Sequence, residues 1–310
     1  MQDKNKFKIK WNIILLLIAV SSISIRLLMH YEFDRSGLLY IAVPFFIALT
    51  LTWLVKPNPD KNWKRQYFNL SLTSLIIMLG SSIVLFEGFV CVVMFMPIYF
   101  LVVFLVFISR YIGERIRNRK ANQLFSHALP LVLLLSAFEG THPELSIGRH
   151  NTVVVTRIIN ASVEQIKAGL SSPIDLQKDR AWFLELFPMP YKIRGASLSV
   201  GDVHEIYFRY HRWFVTNTHE GSMKMRIERV DASRVHSRFI EDSSYIAKYL
   251  KLKSIGLKFV PIAKDKTQLE FSISYERLLD PAWYFDPLQS YGITKSIEFL
   301  IDEMVTPYEI

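Results

Sequence analysis

The sequence predicts an α-helical transmembrane bundle followed by an α+β domain, in which a curved antiparallel sheet wraps around a long C-terminal helix. Three observations support this prediction. The first 139 residues contain several apolar stretches of membrane length, residues 203–276 alternate apolar and polar side chains, and residues 287–305 carry an apolar stripe. Alternation with a period of two is typical of half-buried strands, and a spacing of three to four residues is typical of an amphipathic helix.

Charge is distributed unevenly along the 310 residues, which carry 37 Lys and Arg against 28 Asp and Glu. Residues 1–139 hold 15 basic and 7 acidic side chains, whereas residues 140–310 hold 22 and 21. The basic excess therefore lies in the apolar half, where it sets membrane topology. A nucleic-acid partner is not expected, because the second half lacks a basic surplus. Cys91 is the single cysteine, which excludes an intrachain disulfide and a Cys-based metal site.

Four apolar stretches approach the roughly 20 residues that a membrane-spanning helix needs. They are residues 11–29, 37–55, 70–86 and 89–109. The last two are separated only by Glu87-Gly88, which predicts a tight turn. A fifth stretch, residues 124–138, is shorter and contains Pro130, so it is either a fifth span or an interfacial or re-entrant segment. We expect residues 1–139 to form a multi-pass membrane region of four to five helices.

The distribution of Lys and Arg predicts the orientation of these spans. Basic residues concentrate before the first stretch, in "KPNPDKNWKR" and in "RYIGERIRNRK", and are sparse in the intervening connections. This pattern predicts an integral protein of a bacterial inner membrane with its N-terminus in the cytoplasm. If residues 124–138 cross, the C-terminal domain is periplasmic; if they do not, it is cytoplasmic. We expect the periplasmic side, because "EGTHPELSIG" carries no basic residue.

Residues 140–310 are predicted to form the second domain, with its core in residues 151–305. A β-branched strand over residues 152–159 precedes Ser162, which starts a helix over 163–170 with Gln165 in a capping box. A meander of alternating strands follows. Asp286 then predicts an N-cap, with Pro287 at the first position of the last helix. The apolar stripe of that helix is Ile293, Ile297, Leu300, Ile301 and Met304.

This order of elements, together with three segments, resembles the SRPBCC or START-like helix-grip superfamily, and within it the polyketide cyclase/dehydrase-like members. The segments are "RIINASVEQIKAGL", "GASLSVGDVHEIYF" and "YERLLDPAWYFDPLQSYGITKSIEFLIDEM". The resemblance implies a helix-grip fold, often with a cavity between sheet and helix for lipids, sterols or aromatic polyketides. The N-terminal membrane region is a departure from the usual single-domain member.

The inward face of the predicted sheet and helix supplies the candidate ligand-binding residues. They are His204, Phe208, Tyr210, Met223, Met225, Phe239, Leu257, Phe259, Phe271, Tyr275, Trp283, Tyr284, Ile297 and Leu300. His204, Tyr210 and Tyr275 are polar groups that either orient a ligand, act as an acid–base pair or are satisfied core residues. Trp283 and Tyr284 either gate one end of the cavity, lie at the bilayer interface or close the core. No catalytic residue, cofactor or metal site is predicted.

Three functions are compatible with this sequence. The preferred one is a membrane-anchored helix-grip domain that binds a lipid or another hydrophobic small molecule, with the bilayer as its second partner. The alternatives are a cyclase- or dehydratase-like enzyme that uses the same cavity, and a packed interaction or sensory domain without a ligand.

Overall fold

The computed structural model describes residues 2–85, 89–117, 131–171, 173–176, 180, 182–195, 197–213 and 216–305. The chain divides into two compact units. The helical unit comprises Met1–Ile147 and Leu279–Tyr284, and the sheet unit comprises Gly148–Leu278 and Phe285–Ile310. The short segment Leu279–Tyr284 thus groups with the helical unit although it follows the last strand.

The helical unit is built from α1 (Gln2–His30), a π-helix (Leu38–Ala42), α2 (Val43–Leu54), α3 (Trp63–Leu85) and α4 (Phe89–Arg117). Residues 131–136 are also helical. Three helices are long and apolar enough to cross a membrane, over Ile13–His30, Trp63–Val84 and Val92–Arg115. These three match the first, third and fourth predicted stretches.

The other predicted spans differ from these three. Leu38–Leu54 is apolar but shorter, and its π-helical start changes to α-helix at Val43, so residues 37–55 do not form one uninterrupted α-helix. The first seven residues of the predicted fifth stretch, 124–130, and the predicted Glu87-Gly88 turn lie outside the described residues. The helices before and after Glu87-Gly88 are longer than the predicted apolar stretches. The first, α3, begins at Trp63 instead of residue 70, and the second, α4, ends at Arg117 instead of residue 109.

The sheet unit contains one eight-stranded antiparallel sheet in the order β1-β8-β7-β6-β5-β4-β3-β2. The strands are β1 (His150–Ile159), β2 (Ile174–Asp175), β3 (Met189–Arg194), β4 (Val203–Trp213), β5 (Thr216–Val230), β6 (Arg234–Asp242), β7 (Leu250–Ala263) and β8 (Lys266–Arg277). The helices are α5 (Val163–Leu170), α6 (Trp182–Glu185) and α7 (Ala282–Met304), with a short 3-10 helix at Tyr245–Lys248. The predicted capping box of Ser162 and Gln165 is confirmed at the start of α5.

Strand alternation places one apolar face of the sheet against α7. In β8, Leu269, Phe271 and Ile273 are buried while the intervening residues are partly exposed. Ile297 and Ile301 of α7 are fully buried in the same cluster. A sheet with one apolar face buries it by holding an amphipathic helix across it. The predicted curved antiparallel sheet with a C-terminal helix, the helix-grip arrangement, is confirmed at this level.

The start of α7 differs from the prediction. The helix begins at Ala282 rather than at Asp286-Pro287, and Pro287 lies inside it. Asp286 does not serve as the predicted N-cap, because its carboxylate contacts Arg277 and Asn151. The backbone N–H of Ala282 instead donates to the carboxylate of Glu139, 143 positions earlier in the chain, at 2.9 Å.

Replacing Ile297 by Ala is expected to destabilise the sheet unit by about 2–5 kcal/mol, because it removes a fully buried side chain between α7 and β8. Lys295→Ala on the same helix is the matched control. It removes only a solvent-screened ion pair to Glu298, for which we expect a much smaller loss of stability than for Ile297→Ala. Thermal and denaturant unfolding of the full chain in detergent, followed by circular dichroism, compares the two variants. Equal losses would contradict the assignment of Ile297 to the core.

Candidate functional site

The predicted inward-facing residues of the sheet unit separate into two buried clusters. The β8 cluster lies where α7 crosses β7 and β8, and it includes Leu257, Phe259, Phe271, Tyr275 and Ile297. The β4 cluster joins β3, β4 and β5 to Phe299 of α7 and includes Phe208 and Met223, with Phe239 partly buried against it. Met225 is also partly buried and pairs with His204 in the strand register. Phe299 was missing from the predicted set, because it lies off the stripe that faces the β8 cluster.

Four apolar residues connect the two clusters. Ile246, Leu252, Leu300 and Met304 are only partly buried, and each packs against both the β8 cluster and the β4 cluster. We call them the bridging residues. They come from the 3-10 helix, from β7 and from the last turns of α7. Of these, only Leu300 belonged to the predicted cavity set, and Met304 was predicted as part of the α7 stripe.

His204 lies on the inward face of β4 and is only 5% exposed. Its Nε2 atom is 2.7 Å from the carbonyl oxygen of Ser197, and since a carbonyl only accepts, Nε2 carries the proton and donates. A Cβ atom at Gly195 would lie 2.5 Å from the imidazole ring, so the residue at 195 must be glycine for the ring to fit. The imidazole is therefore enclosed by the connection between β3 and β4.

Tyr210 and Tyr275 do not join His204. Tyr210 lies six residues further along β4, about 20 Å away in an extended strand. Its ring stacks on Tyr245 with the centroids 4.9 Å apart. The hydroxyl of Tyr275 on β8 is 3.2 Å from that of Ser290 on α7, and burial raises the pKa of this phenol. The three polar groups of the predicted cluster thus have separate protein partners.

A buried ion pair that the sequence analysis did not predict lies at the end of β8. The side chain of Arg277 is 0% exposed, and its Nε atom is 2.5 Å from the Asp286 carboxylate on α7. Asn151 of β1 donates to the same carboxylate at 3.2 Å. The signal was present in the sequence, because Arg277 continues the inward series 269, 271, 273 and 275 of β8. A charge at the next inward position requires a partner inside the domain.

Trp283 and Tyr284 belong to the helical unit rather than to either cluster of the sheet unit. Tyr284 is partly buried and its hydroxyl donates to the carbonyl of Met94 in α4 at 2.5 Å. Burial raises the pKa of this phenol to about 12. Trp283 is 48% exposed.

The segment around these aromatics is held by polar contacts inside the helical unit. The N–H of Asp280 donates to the carbonyl of Arg35 at 2.8 Å, and Ser146 donates to the Asp280 carboxylate at 2.9 Å. Gly140 has a φ of +82°, and a Cβ there would lie 2.2 Å from that carboxylate. Asp280 thus fills a space that requires glycine at position 140.

Metal-ligating side chains do not converge within the part of the chain that the structure describes, where groups of three or more His, Cys, Asp or Glu are not found. His219 faces Tyr245 and has its Nε2 atom 3.2 Å from the carbonyl of Ser243. Together with the enclosed His204, this leaves the sheet unit with an inward face of apolar side chains and engaged polar groups.

Comparisons with known proteins return matches among solved structures. No protein-family model matches the chain, and no curated protein sequence matches it. An aromatase/cyclase from Streptomyces sp. R1128 is 11% identical over 52% of this chain and 94% of its own, with a TM-score of 0.34. Norcoclaurine synthase from Thalictrum flavum is 16% identical over 49% and 87%, with a TM-score of 0.30. Major latex-like protein 151 from Panax ginseng is 16% identical over 49% and 97%, with a TM-score of 0.27.

Removing the partner of Arg277 is expected to destabilise the sheet unit strongly. Asp286→Ala leaves the guanidinium buried without its carboxylate, which costs about 3–5 kcal/mol. Asp302→Ala is the matched control on the same helix, since it breaks the half-exposed Arg157–Asp302 pair and is expected to cost below about 1 kcal/mol. Denaturant unfolding of both variants measures the difference. Comparable costs would show that the Arg277 pair contributes no more than a surface pair.

Proposed function

We propose that this protein is a membrane-anchored helix-grip protein whose sheet unit binds a lipid or another apolar small molecule between the sheet and α7. The observation that supports the proposal is the partial burial of the bridging residues. Ile246, Leu252, Leu300 and Met304 lie between two buried clusters, yet each retains exposed apolar surface. An apolar ligand that covers this surface gains roughly 25 cal/mol for each Å² removed from water.

The residue types at this position are suited to a ligand of variable shape. Leu and Met side chains change rotamer at small cost, and Met in particular adapts to irregular apolar partners. The neighbouring polar groups already have partners, since His204 donates to Ser197 and Tyr275 is bonded to Ser290. A ligand that buries apolar surface therefore does not leave these groups unsatisfied.

The helical unit supplies the membrane anchor in this proposal. Its three long apolar helices have the length and composition to cross a bilayer. The basic residues in the first turns of α1, around the start of α3 and at the end of α4 favour a cytoplasmic N-terminus. With an odd number of crossings, the C-terminal domain lies on the side of the membrane opposite to the N-terminus, and this is the topology that we propose.

An enzymatic function in the same space is a separate hypothesis. It would need an acid and a base close to one substrate. His204 and Tyr210 lie about 20 Å apart along β4, and Tyr275 bonds to α7, so the three groups provide no such pair in this arrangement. Binding is therefore the function that the geometry favours.

The binding proposal predicts where an apolar probe reacts. The full chain in membrane vesicles is incubated with a diazirine-bearing fatty acid, irradiated and mapped by peptide mass spectrometry. We expect labelling of peptides that contain Leu252 and Leu300. Leu300→Trp, which fills the space between the clusters, is expected to lower this labelling roughly tenfold, the change that a loss of about 1.4 kcal/mol produces.

Val154→Trp is the matched control, because Val154 is 56% exposed on the strand β1 and lies outside both clusters. It should label like the unmodified protein. Labelling confined to the helices of the helical unit would overturn the binding proposal. Equal labelling of the Leu300→Trp and Val154→Trp variants would also overturn the binding proposal.

A further inference from the structure

An apolar groove lies on the helical unit between the first turns of α3 and the middle of α4. It has a volume of about 410 Å³, within the range of roughly 300–1,000 Å³ that is typical of small-molecule sites. Five aromatic side chains line it: Trp63, Tyr67, Phe68, Phe100 and Phe104. The rings of Tyr67 and Phe104 pack edge to face with their centroids 5.4 Å apart, and Phe68 is 64% exposed. The groove therefore has a packed aromatic wall and an open side.

One polar group in the groove has an unusual environment. The hydroxyl oxygen of Ser71 is buried and has no hydrogen-bond partner among the described residues. On the same helix, Thr73, Ser81 and Ser82 each donate to the carbonyl four residues earlier. Buried polar atoms are rarely left unpaired. The helix itself does not use the Ser71 hydroxyl, and a change of the Ser71 χ1 rotamer would turn it towards a molecule bound in the groove.

The groove is bordered by positive charge. Lys64 lines it, and in the part of the chain that the structure describes its ammonium group contacts the Trp63 ring but no carboxylate. Basic pockets beside membrane helices attract anionic lipid headgroups.

We propose that this groove binds an anionic glycerophospholipid of the bilayer, with its phosphate on Lys64, an ester carbonyl on Ser71 and an acyl chain along the aromatic wall. Seven residues separate Lys64 from Ser71, which is about 10 Å along a helix axis. That distance accommodates two hydrogen bonds of about 2.9 Å and the glycerol unit between the phosphate and the ester. The inference rests on the membrane anchoring that the proposed function includes.

The test uses the full chain in nanodiscs of phosphatidylcholine that contain a minority of phosphatidylglycerol, followed by native mass spectrometry of the retained lipids. We expect the unmodified protein to retain phosphatidylglycerol in preference to phosphatidylcholine. Lys64→Gln is expected to lower this preference roughly tenfold, since it removes one charge-assisted hydrogen bond. Ser71→Leu, which fills the groove, is expected to abolish retention of both lipids.

Lys61→Gln is the matched control, because it removes the same charge from the neighbouring connection without altering the groove lining. It should keep the preference. The groove proposal is overturned if Lys64→Gln and Lys61→Gln retain phosphatidylglycerol equally, or if the unmodified protein retains both lipids equally.

Extraction of the membranes with alkaline carbonate separates this inference from the anchoring on which it rests. Protein released by carbonate would contradict membrane anchoring itself. Protein that resists extraction but shows no lipid preference would contradict only the groove.

Discussion

The fold of the sheet unit depends on the burial of Arg277 at the end of β8. A guanidinium without solvent contact requires a carboxylate, and Asp286 on α7 supplies it. The pair fixes the position of α7 on the sheet, since Asn151 of β1 bonds to the same carboxylate and thereby brings the edge strand to the same point. Once this end is fixed, the helical repeat brings Ile293, Ile297 and Ile301 in turn onto β7 and β8. The apolar contacts supply most of the burial, and the ion pair selects which register of the helix receives it.

Local sequence patterns were sufficient to predict β1, α5, the meander of strands from β4 to β8 and the last helix in this order, whereas β2 and β3 were not predicted. The alternation in β8 is complete from Leu269 to Tyr275, so its inward face could be assigned from the sequence. The Ser162–Gln165 capping box is equally local, because both partners lie within one helical turn. The same reasoning failed at the start of α7. Asp286-Pro287 has the residue types of a helix start, but the ion pair uses the Asp286 carboxylate and the Glu139 carboxylate accepts from the first turn instead. A contact between residues so distant in the chain has no local signature.

The sequence predicted which face of the sheet carries the candidate residues, but it did not predict which of these residues lie close together. Parity along β4 correctly places His204 and Tyr210 on one side of the sheet, and both are buried. Parity contains no information on distance along the strand, and six residues separate them by about 20 Å. It also contains no information on loops. The carbonyl of Ser197, in the connection between β3 and β4, accepts the hydrogen bond of the His204 imidazole, and strand alternation does not predict this contact. Alternation along a strand indicates only the face on which a residue lies. It therefore could not show that His204, Tyr210 and Tyr275 lie apart and have separate partners. Whether the predicted set binds a ligand stays a prediction.

The division of the interior into two clusters is compatible with a sheet unit that is stable and also binds the proposed ligand. In a domain with one continuous core, a ligand that enters must displace closely packed side chains, and the packing is lost at that point. Here the residues that form the β8 cluster and the β4 cluster are buried, whereas the four bridging residues, which pack against both clusters, are only partly buried. The buried clusters then provide the stability of the domain, while the bridging residues present the apolar surface that the proposed ligand would cover. Because ligand-dependent burial adds to the fold rather than replacing part of it, binding at this position would raise the stability of the sheet unit instead of competing with its packing.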